Sequence, residues 1–332
     1  MLAQAFPDLS VIIVSWNVSP LLRCCLRSLH DSPGVSFAVS DGAAGSSYIA
    51  EAIVVDNAST DDSAEMVRTE FPLVRILANS SNRGFTAGNN QGLALSRGRY
   101  VLFLNPDTEV LGDALKAMVE YMDAHPEIGA LGPELRYADG SLQSSRRRFP
   151  SLADAFFEST PLAWHWPRNP WARRYRMEET PTDGERPELV DWVVGAALLA
   201  RRAALDQVGG FDEGYFMYSE ELDWCRRAKE AGWQTVFLPV AHIVHHEGKS
   251  SEQVMAARHI RFQTSKVRYF RKFHGPFAAE ALRLMLLGSF ASEWLLEGAK
   301  WLLGSKKELR QQRMAAYSEL LRTGLQPGSD RP

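Results

Sequence analysis

The apolar run Tyr100-Val101-Leu102-Phe103-Leu104 stops at Asn105-Pro106-Asp107. Consecutive apolar side chains bounded by a turn signal read as a strand buried on both faces. A carboxylate where such a strand ends lies at the mouth of an open α/β sheet, the place where ligands of these sheets bind. Ile53-Val54-Val55 ends in the same way, on Asp56. Two strand-end aspartates in one repeated pattern predict a nucleotide and metal site.

The repeat extends over the first third of the chain. Leu9 to Trp16 reads as a strand and Leu21 to Leu29 as a helix. Residues 31–50, rich in Gly, Ser, Ala and Asp, read as a loop or small insertion. Ala52 to Val55 is the next strand, and Ser59 is placed to cap a helix with Asp61 and Asp62 in its first turn. Val74 to Leu77 follows as a strand, Thr86 to Ser96 as a helix, and Tyr100 to Leu104 as a strand. This alternation predicts an α/β, Rossmann-like, mostly parallel sheet with helices on both faces.

Beyond it, a helix runs from Asp113 to about His125 and a short strand covers Ile128 to Leu131. Residues 141–190 hold Arg146-Arg147-Arg148, several prolines and the aromatics Trp164, Trp166, Trp171 and Tyr175, and read as irregular. Trp192 to Ala200 returns to an apolar strand, and Glu220 to Ala231 is a helix with Leu222, Cys225 and Ala228 on one face, stopped by Gly232. Trp233 to Leu238 reads as a strand, followed by a separate stretch from Ala241 to His246. From about Ser251 the chain is helical, amphipathic and flanked by basic residues.

Net charge is −3, so nothing global points to nucleic acid. The cysteines are Cys24, Cys25 and Cys225, with no CxxC spacing. Neighbouring cysteines rarely bridge, which predicts a reducing, cytoplasmic compartment. MLAQAFPDLS has no basic region and no long apolar run, so no signal peptide is read there. The stretch from Leu282 to Leu303 contains Arg283, Glu293, Glu297 and Lys300. A central charge costs roughly 2.5–3.5 kcal/mol on insertion scales, so the expectation is a helix lying in a membrane interface rather than crossing it.

Five constellations could carry chemistry. Ser15 and Asn17, with Asp56 to Asp61, place polar groups at successive strand ends, where Asp56 could accept from a base N3–H or a ribose hydroxyl. Asn and Asp at turns also satisfy their own backbone, and that reading stays open. Asn82, Arg83, Gly84 and Asn89 open a Gly-containing helix whose free N–H groups suit an anion. Asp107 could bind Mg²⁺ or Mn²⁺ through a hard oxygen, with Asn105 orienting a sugar or a bound water; an ordinary Asn-Pro-Asp turn is the plain alternative. Glu220 and Glu221 fall in a first helical turn, where dipole complementation alone would account for them. The functional alternative is that one of them is a general base; neighbours on a helix point about 100° apart, so only one can face a pocket. His242, His245 and His246, followed by Glu247 to Ser250, could ligate a cation or meet a diphosphate.

In their order and wording these segments resemble family 2 glycosyltransferases of GT-A fold, and within them the rhamnosyltransferase-like branch. The phrases that carry the likeness are VIIVSWN, IVVDNASTDDS, NRGFTAGNNQGL, GRYVLFLNPDTEV, VVGAALLARRAAL, GGFDEGYFMYSEELDWCRRAKEAGW and VHHEGKS, between residues 10 and 250, about three quarters of the chain. The resemblance implies a GT-A domain over 1–250, its nucleotide-sugar half at about 1–110 and its acceptor half at about 111–250, with a helical extension over 251–332. It implies inverting transfer of a sugar, rhamnose from dTDP-rhamnose as first candidate, to a glycan or polyprenyl-diphosphate-linked acceptor in cell-wall or surface-polysaccharide synthesis. Asp56 then contacts the nucleoside. Asp107 matches the last carboxylate of the family's Asp-x-Asp motif, and His245 the histidine that meets the metal or the diphosphate. Glu221 stands where the family has the Asp of a Glu-Asp pair, the general base, with Glu220 the alternate. Trp192, Gly195 and Ala196 line the acceptor side by the same likeness. Two departures stand out: Asn105 replaces the first Asp of Asp-x-Asp, and Glu221 replaces the usual Asp. The expected site is therefore one carboxylate short at the metal. The C-terminal helices, with Trp294, Trp301 and Lys306-Lys307, are expected either to rest on an anionic membrane at its cytoplasmic face or to form a helix or homo-oligomer contact.

Two other functions compete. A sugar nucleotidyltransferase would carry a Gly-rich basic loop after the first strand, where this chain has Ser15-Trp16-Asn17-Val18-Ser19-Pro20. A non-catalytic sugar- or lipid-binding module would have lost the metal and base groups, whereas Asp107, Glu221 and His245 are all present.

Overall fold

A computed structural model describes residues 6–37, 48–160, 166–179, 184–246, 255–304 and 306–326. Among these the strands are β1 Leu9–Ser15, β2 Val35–Ser36, β3 Tyr48–Asp56, β4 Arg75–Ala78, β5 Tyr100–Leu104, β6 Thr108–Val110, β7 Ile128–Arg136, β8 Leu142–Gln143, β9 Arg146–Arg147, β10 Glu188–Val190, β11 Trp192–Val193, β12 Ala197–Arg201 and β13 Gln234–His245. The helices are α1 Ser19–His30, α2 Ser63–Glu70, α3 Phe85–Leu95, α4 Ala114–Ala124, α5 Leu152–Ser159, α6 Pro170–Tyr175, α7 Arg202–Val208, α8 Glu220–Glu230, α9 Met255–Phe273, α10 Gly275–Leu302 and α11 Lys307–Thr323.

The main sheet runs in the order β10-β13-β7-β12-β5-β1-β3-β2, with β4 on β3, β6 on β13 and β8 on β7. β1 is parallel to both β3 and β5, while β12 is antiparallel to β5 and β7. Every residue of β1 is buried, as a strand covered on both faces requires. Leu9, Val11 and Ile13 join one core cluster with Leu22 and Leu26 of α1 and Met118 of α4. Ile12 and Val14 alternate to the other face and meet α3, where two glycines one helical turn apart let the backbone approach. A Cβ on Gly92 would lie 2.4 Å from Ile12 Cγ2, and one on Gly88 2.9 Å from Val14 Cγ1.

Several local expectations change. Ser59 does not cap α2, which begins at Ser63; Asp61 Oδ1 accepts from Ser63 N–H instead, and Ser59 Oγ accepts from Asn17 N–H. The expected strand from Trp192 to Ala200 is two strands broken at residues 194–196. Conversely, the two stretches read after Trp233 are one strand, β13, with a register shift between Leu238 and His242. Residues 141–190, read as irregular, contain regular elements among their described residues. Arg146 and Arg147 pair with Val193 and Trp192 across β9 and β11, and Arg146 is ion-paired with Glu188. Cys25 and Cys225 are buried and Cys24 exposed, all three free.

The chain separates into two compact units. The first comprises Met1–Phe149, Thr180–Glu213 and Glu220–Ser250, and holds the sheet. The second comprises Pro150–Glu179, Gly214–Ser219 and Ser251–Pro332. In the second, Ser151 and Asp154 form a capping box at the start of α5, and Asn169 caps α6 with Pro170 behind it. Lys266 of α9 is buried against Glu158 and Ser159 at the end of α5. No helix among the described residues is long and apolar enough to cross a membrane.

Candidate functional site

Strand register brings the polar ends together. Ser15 pairs with Asp56 and Ile13 with Leu104, so β1, β3 and β5 finish at one edge of the sheet. The antiparallel β12 starts there too, with Ala197 opposite Leu104, and Asn105 N–H donates to Ala196 O at 2.9 Å. Ser15, Asp56, Asn105 and Ala196 therefore share the carboxyl end of the parallel strands, although 181 positions separate Ser15 from Ala196 in sequence.

At the β1 and β3 ends the backbone turns sharply through left-handed residues, Asn17 at φ 54° and Ala58 at φ 64°. For Ala this conformation costs about 1–2 kcal/mol. Hydrogen bonds hold it: Asn17 Oδ1 accepts from Thr60 N–H at 2.7 Å, and Asp56 Oδ2 from Ser59 N–H at 3.1 Å. Asp56 Oδ1 is buried with no partner, and so is Ser15 Oγ. A buried acceptor without a donor costs about 1–3 kcal/mol, so these two atoms are a cost that the fold carries at this corner.

The segment leading into α3 is fastened to the same corner by Asn57. Its Nδ2 donates to Gly84 O at 2.9 Å, and its Oδ1 accepts from Asn79 Nδ2 and Arg83 N–H at 3.0 and 3.2 Å. Asn82 Oδ1 accepts from Gly84 N–H at 2.9 Å, and Gly84 takes φ 89°, a value open to glycine. Arg83 has an exposed side chain. Asn89 is buried within α3 with Nδ2 on Phe85 O at 3.0 Å and Oδ1 unpartnered. Asn57 and Asn90, which grips Phe211 by its backbone N–H and C=O, stand within the sequence constellations but are given no role of their own there. Both sit inside the quoted phrases, but only their long-range contacts distinguish them from neighbouring asparagines.

Among the three histidines of β13 and its end, His245 is the one brought to Asp107. Its Nε2 lies 3.5 Å from Asp107 Oδ1 and 3.4 Å from Asn105 Nδ2, and both Asp107 and His245 are buried. Its Nδ1 lies 2.9 Å from Gln143 Oε1. That contact holds the ring from behind and turns Nε2 toward Asp107 and Asn105. Gln143 carries no signal in the sequence, since 102 positions separate it from His245. His242 Nδ1 instead lies 3.3 Å from Glu134, and His246 Nε2 lies 2.6 Å from Glu109. Asp107 and His245 are thus the pair of expected ligands that the fold brings side by side. Among the described residues no group of three or more His, Cys, Asp or Glu gathers in ligating geometry. Residues 247–250, which follow these histidines in the sequence phrase, lie outside the described residues.

The break between β11 and β12 exposes backbone to α8. Gly195 N–H donates to Glu221 Oε1 at 3.3 Å, and a Cβ at Gly195 would stand 3.2 Å from the Glu221 carboxyl carbon. Glu221 Oε2 is shielded from solvent and unpartnered. Burial pushes the Glu221 carboxyl up, against the pull of the Gly195 hydrogen bond and the Arg147 charge. Glu220, buried beside it with Oε2 also unpartnered, is pushed up well above the usual carboxylate range by burial and then by the Glu221 charge. Asp223, on the next turn face, is tied to Arg227 at 2.7 Å. Trp192 is buried with its indole N–H on Arg148 O at 2.9 Å.

The chain compares with known proteins as follows. The family model for glycosyl transferase family 2 matches residues 10–209. N-acetylglucosaminyl-diphospho-decaprenol L-rhamnosyltransferase of Mycobacterium tuberculosis is 35% identical over 72% of this chain and 80% of its own length. Rhamnosyltransferase WbbL of Escherichia coli is 31% identical over 49% of this chain and 61% of its own. The mannosyltransferase PcManGT of Pyrobaculum calidifontis, solved with GDP-Man and Mn²⁺, superposes over 97% of this chain and 88% of its own with a TM-score of 0.54 at 18% identity, a likeness of fold that agrees with the GT-A expectation. With the family model over more than half its length, and a rhamnosyltransferase 35% identical across most of it, the chain is a glycosyltransferase and belongs to glycosyl transferase family 2.

Proposed function

We propose that this enzyme transfers a sugar, rhamnose from dTDP-rhamnose as first candidate, from a nucleotide-diphosphate donor to a polyprenyl-linked glycan, with inversion at the anomeric carbon, in cell-wall or surface-polysaccharide synthesis. The donor and acceptor classes are supported by the name of the Mycobacterium tuberculosis relative. The observation that carries the chemistry is Glu221: one carboxylate oxygen is held by the N–H of Gly195, the chain neighbour of Ala196, whose carbonyl accepts from Asn105 N–H, and the other oxygen is shielded and unpartnered.

On this reading the free Oδ1 of Asp56 accepts from the base or ribose, with Ser15 and Asn17 beside it. Asn82, Arg83, Gly84 and Asn89 support the donor from the start of α3. Asp107 and His245 would hold Mg²⁺ or Mn²⁺, with Asn105 oriented by the His245 ring, and water and the donor diphosphate would complete the shell. When bound, such a cation neutralises charge that builds on the departing diphosphate. Glu221 takes the proton of the acceptor hydroxyl as that oxygen bonds to the anomeric carbon and the bond from that carbon to the diphosphate breaks. The segment carrying Trp192, Gly195 and Ala196 forms the acceptor wall, and Gly195 admits the carboxylate because a side chain there would crowd it.

A panel of nucleotide sugars, read by thermal shift with Mg²⁺ or Mn²⁺ present, tests the donor. At a hundredfold excess over its dissociation constant a ligand adds about 2.7 kcal/mol of stability, a readable rise in midpoint. The expected response is to dTDP-rhamnose, lost with EDTA. No response to any nucleotide sugar, with or without metal, sinks the reading.

A further inference from the structure

Helix α10 buries one face within the second unit and leaves the other bare. Leu282, Leu286 and Phe290 are buried, and the helix packs on α5, α9 and α11. On the outer side Phe277, Leu284, Leu295 and Leu302 fall within about 20° of one line at 100° per residue, and they are 91%, 56%, 64% and 77% exposed. Along one side of this line the exposed positions are Ala281, Met285, Gly288, Ser292, Leu296 and Ala299. No charge interrupts this line along a helix about 42 Å long. The charges of α10 lie elsewhere on its circumference: Glu297 is buried against Arg310 of α11, and Arg283 is held by Glu280. Single exposed apolar residues need no explanation, but a continuous uncharged stripe does.

The ends of the stripe are basic. Arg271 and Lys272 precede it, and Lys306 and Lys307 follow it, all exposed, with Lys307 Nζ 5.6 Å from the Trp301 ring centroid. Residues 255–326 hold thirteen Lys and Arg against five Glu and no Asp, a net +8 in a chain whose total is −3. We propose that the outer face of α10 docks on an anionic lipid bilayer, lying parallel to its surface with the apolar line below the headgroups and the flanking cations among the phosphates. The charge selects this occupant. Two copies of the chain meeting through this face would bring like-charged segments together, whereas anionic headgroups complement them. Long basic side chains flanking an apolar stripe reach the headgroup level while their stems stay with the helix. The inference is independent of donor and acceptor, because vesicle binding is read with no nucleotide sugar present.

The test is flotation of the full chain with phosphatidylcholine vesicles, with and without phosphatidylglycerol. The protein is expected to float with the anionic vesicles and to be released by high salt. Leu284→Glu with Leu295→Glu alters exposed side chains, so folding is retained and is checked by thermal unfolding. The lipid-bound fraction of this double variant is expected to fall about tenfold, and Lys306→Glu with Lys307→Glu to act in the same direction. Failure of the unaltered protein to float with anionic vesicles overturns the proposal, as does flotation of the Leu284→Glu, Leu295→Glu protein at the unaltered level. Light scattering that finds a dimer converted to monomer by those two substitutions assigns the face to a second copy and also overturns it.

Discussion

Two pairs of ionisable side chains adjoin the Asn105–Ala196 hydrogen bond, and they are built in opposite ways. In the Asp107–His245 pair the groups are mutually supported: the imidazole is oriented from behind by Gln143 and faces the carboxylate and the Asn105 amide. In the Glu220–Glu221 pair two carboxylates stand side by side, each with a shielded and unpartnered oxygen, and both are pushed toward the protonated form by burial. The first environment suits a charge that stays in place, as at a cation or diphosphate. The second suits a group that exchanges a proton. On the proposed function, surroundings rather than residue type would divide holding the donor from activating the acceptor.

The sharpest way to break this contrast is Glu221→Gln, which keeps size and the Gly195 hydrogen bond but removes the base. Turnover, followed as nucleotide released, is expected to fall by about 10²–10⁴, the usual contribution of a positioned base. Donor affinity by thermal shift should stay unchanged. Near-normal turnover would remove Glu221 from the role. The other pair should respond in the reverse sense. Asp107→Ala is expected to weaken metal-dependent donor binding by at least tenfold, and an unchanged metal titration would argue against that ligand. Gln143→Leu leaves both donor-facing residues in place and removes only the orientation of the ring. It should cost about tenfold in metal affinity at constant metal-free nucleotide binding. Equal effects on metal-free and metal-loaded binding would show Gln143 to be a packing residue.

What the sequence allowed to be read follows the range of the forces involved. β1, β5 and the last five residues of β3 are runs buried on both faces, so their apolar character is visible in a short window, and Asp56 and Asp107 inherit positions at or beyond the strand ends. The break at residues 194–196 was not visible, because the run from Trp192 to Ala200 is apolar throughout. It breaks because Ala196 O receives Asn105 N–H and Gly195 N–H turns to Glu221, partners 91 and 26 positions away. β13 is the opposite case. Pro239, which has no N–H for a ladder, suggests two pieces, but pairing with β7 on both sides of a register shift keeps one strand. Within the site, Asp107 and His245 could be named from their phrases, whereas Gln143, Asn57 and Asn90 act through contacts that no local pattern encodes.

The smallest expected effect separates the two glutamates from each other. Glu220 has its carboxyl raised in the folded state, so between the unfolded value of about 4.3 and the folded one the native protein binds more protons than the unfolded chain. Stability from this group is therefore full below the unfolded value and is lost as pH rises through the folded value. Glu220→Gln carries no titrating proton and should remove that loss, flattening the dependence of the unfolding midpoint on pH from the acidic side toward neutrality and raising the midpoint at its upper end. Activity should behave differently. Turnover requires Glu221 ionised, so it rises with pH through the raised Glu221 value. Burial raises both carboxyls, and the Glu221 charge adds to the rise at Glu220. Glu220→Gln leaves Glu221 free to ionise, so the variant is expected to keep its turnover and an acid limb. Stability and activity are thus expected to part company in one variant. A Glu220→Gln protein that loses turnover as completely as Glu221→Gln would transfer the base to Glu220. One whose acid limb moves down in pH by as much as its stability curve flattens would show that the two carboxylates ionise together.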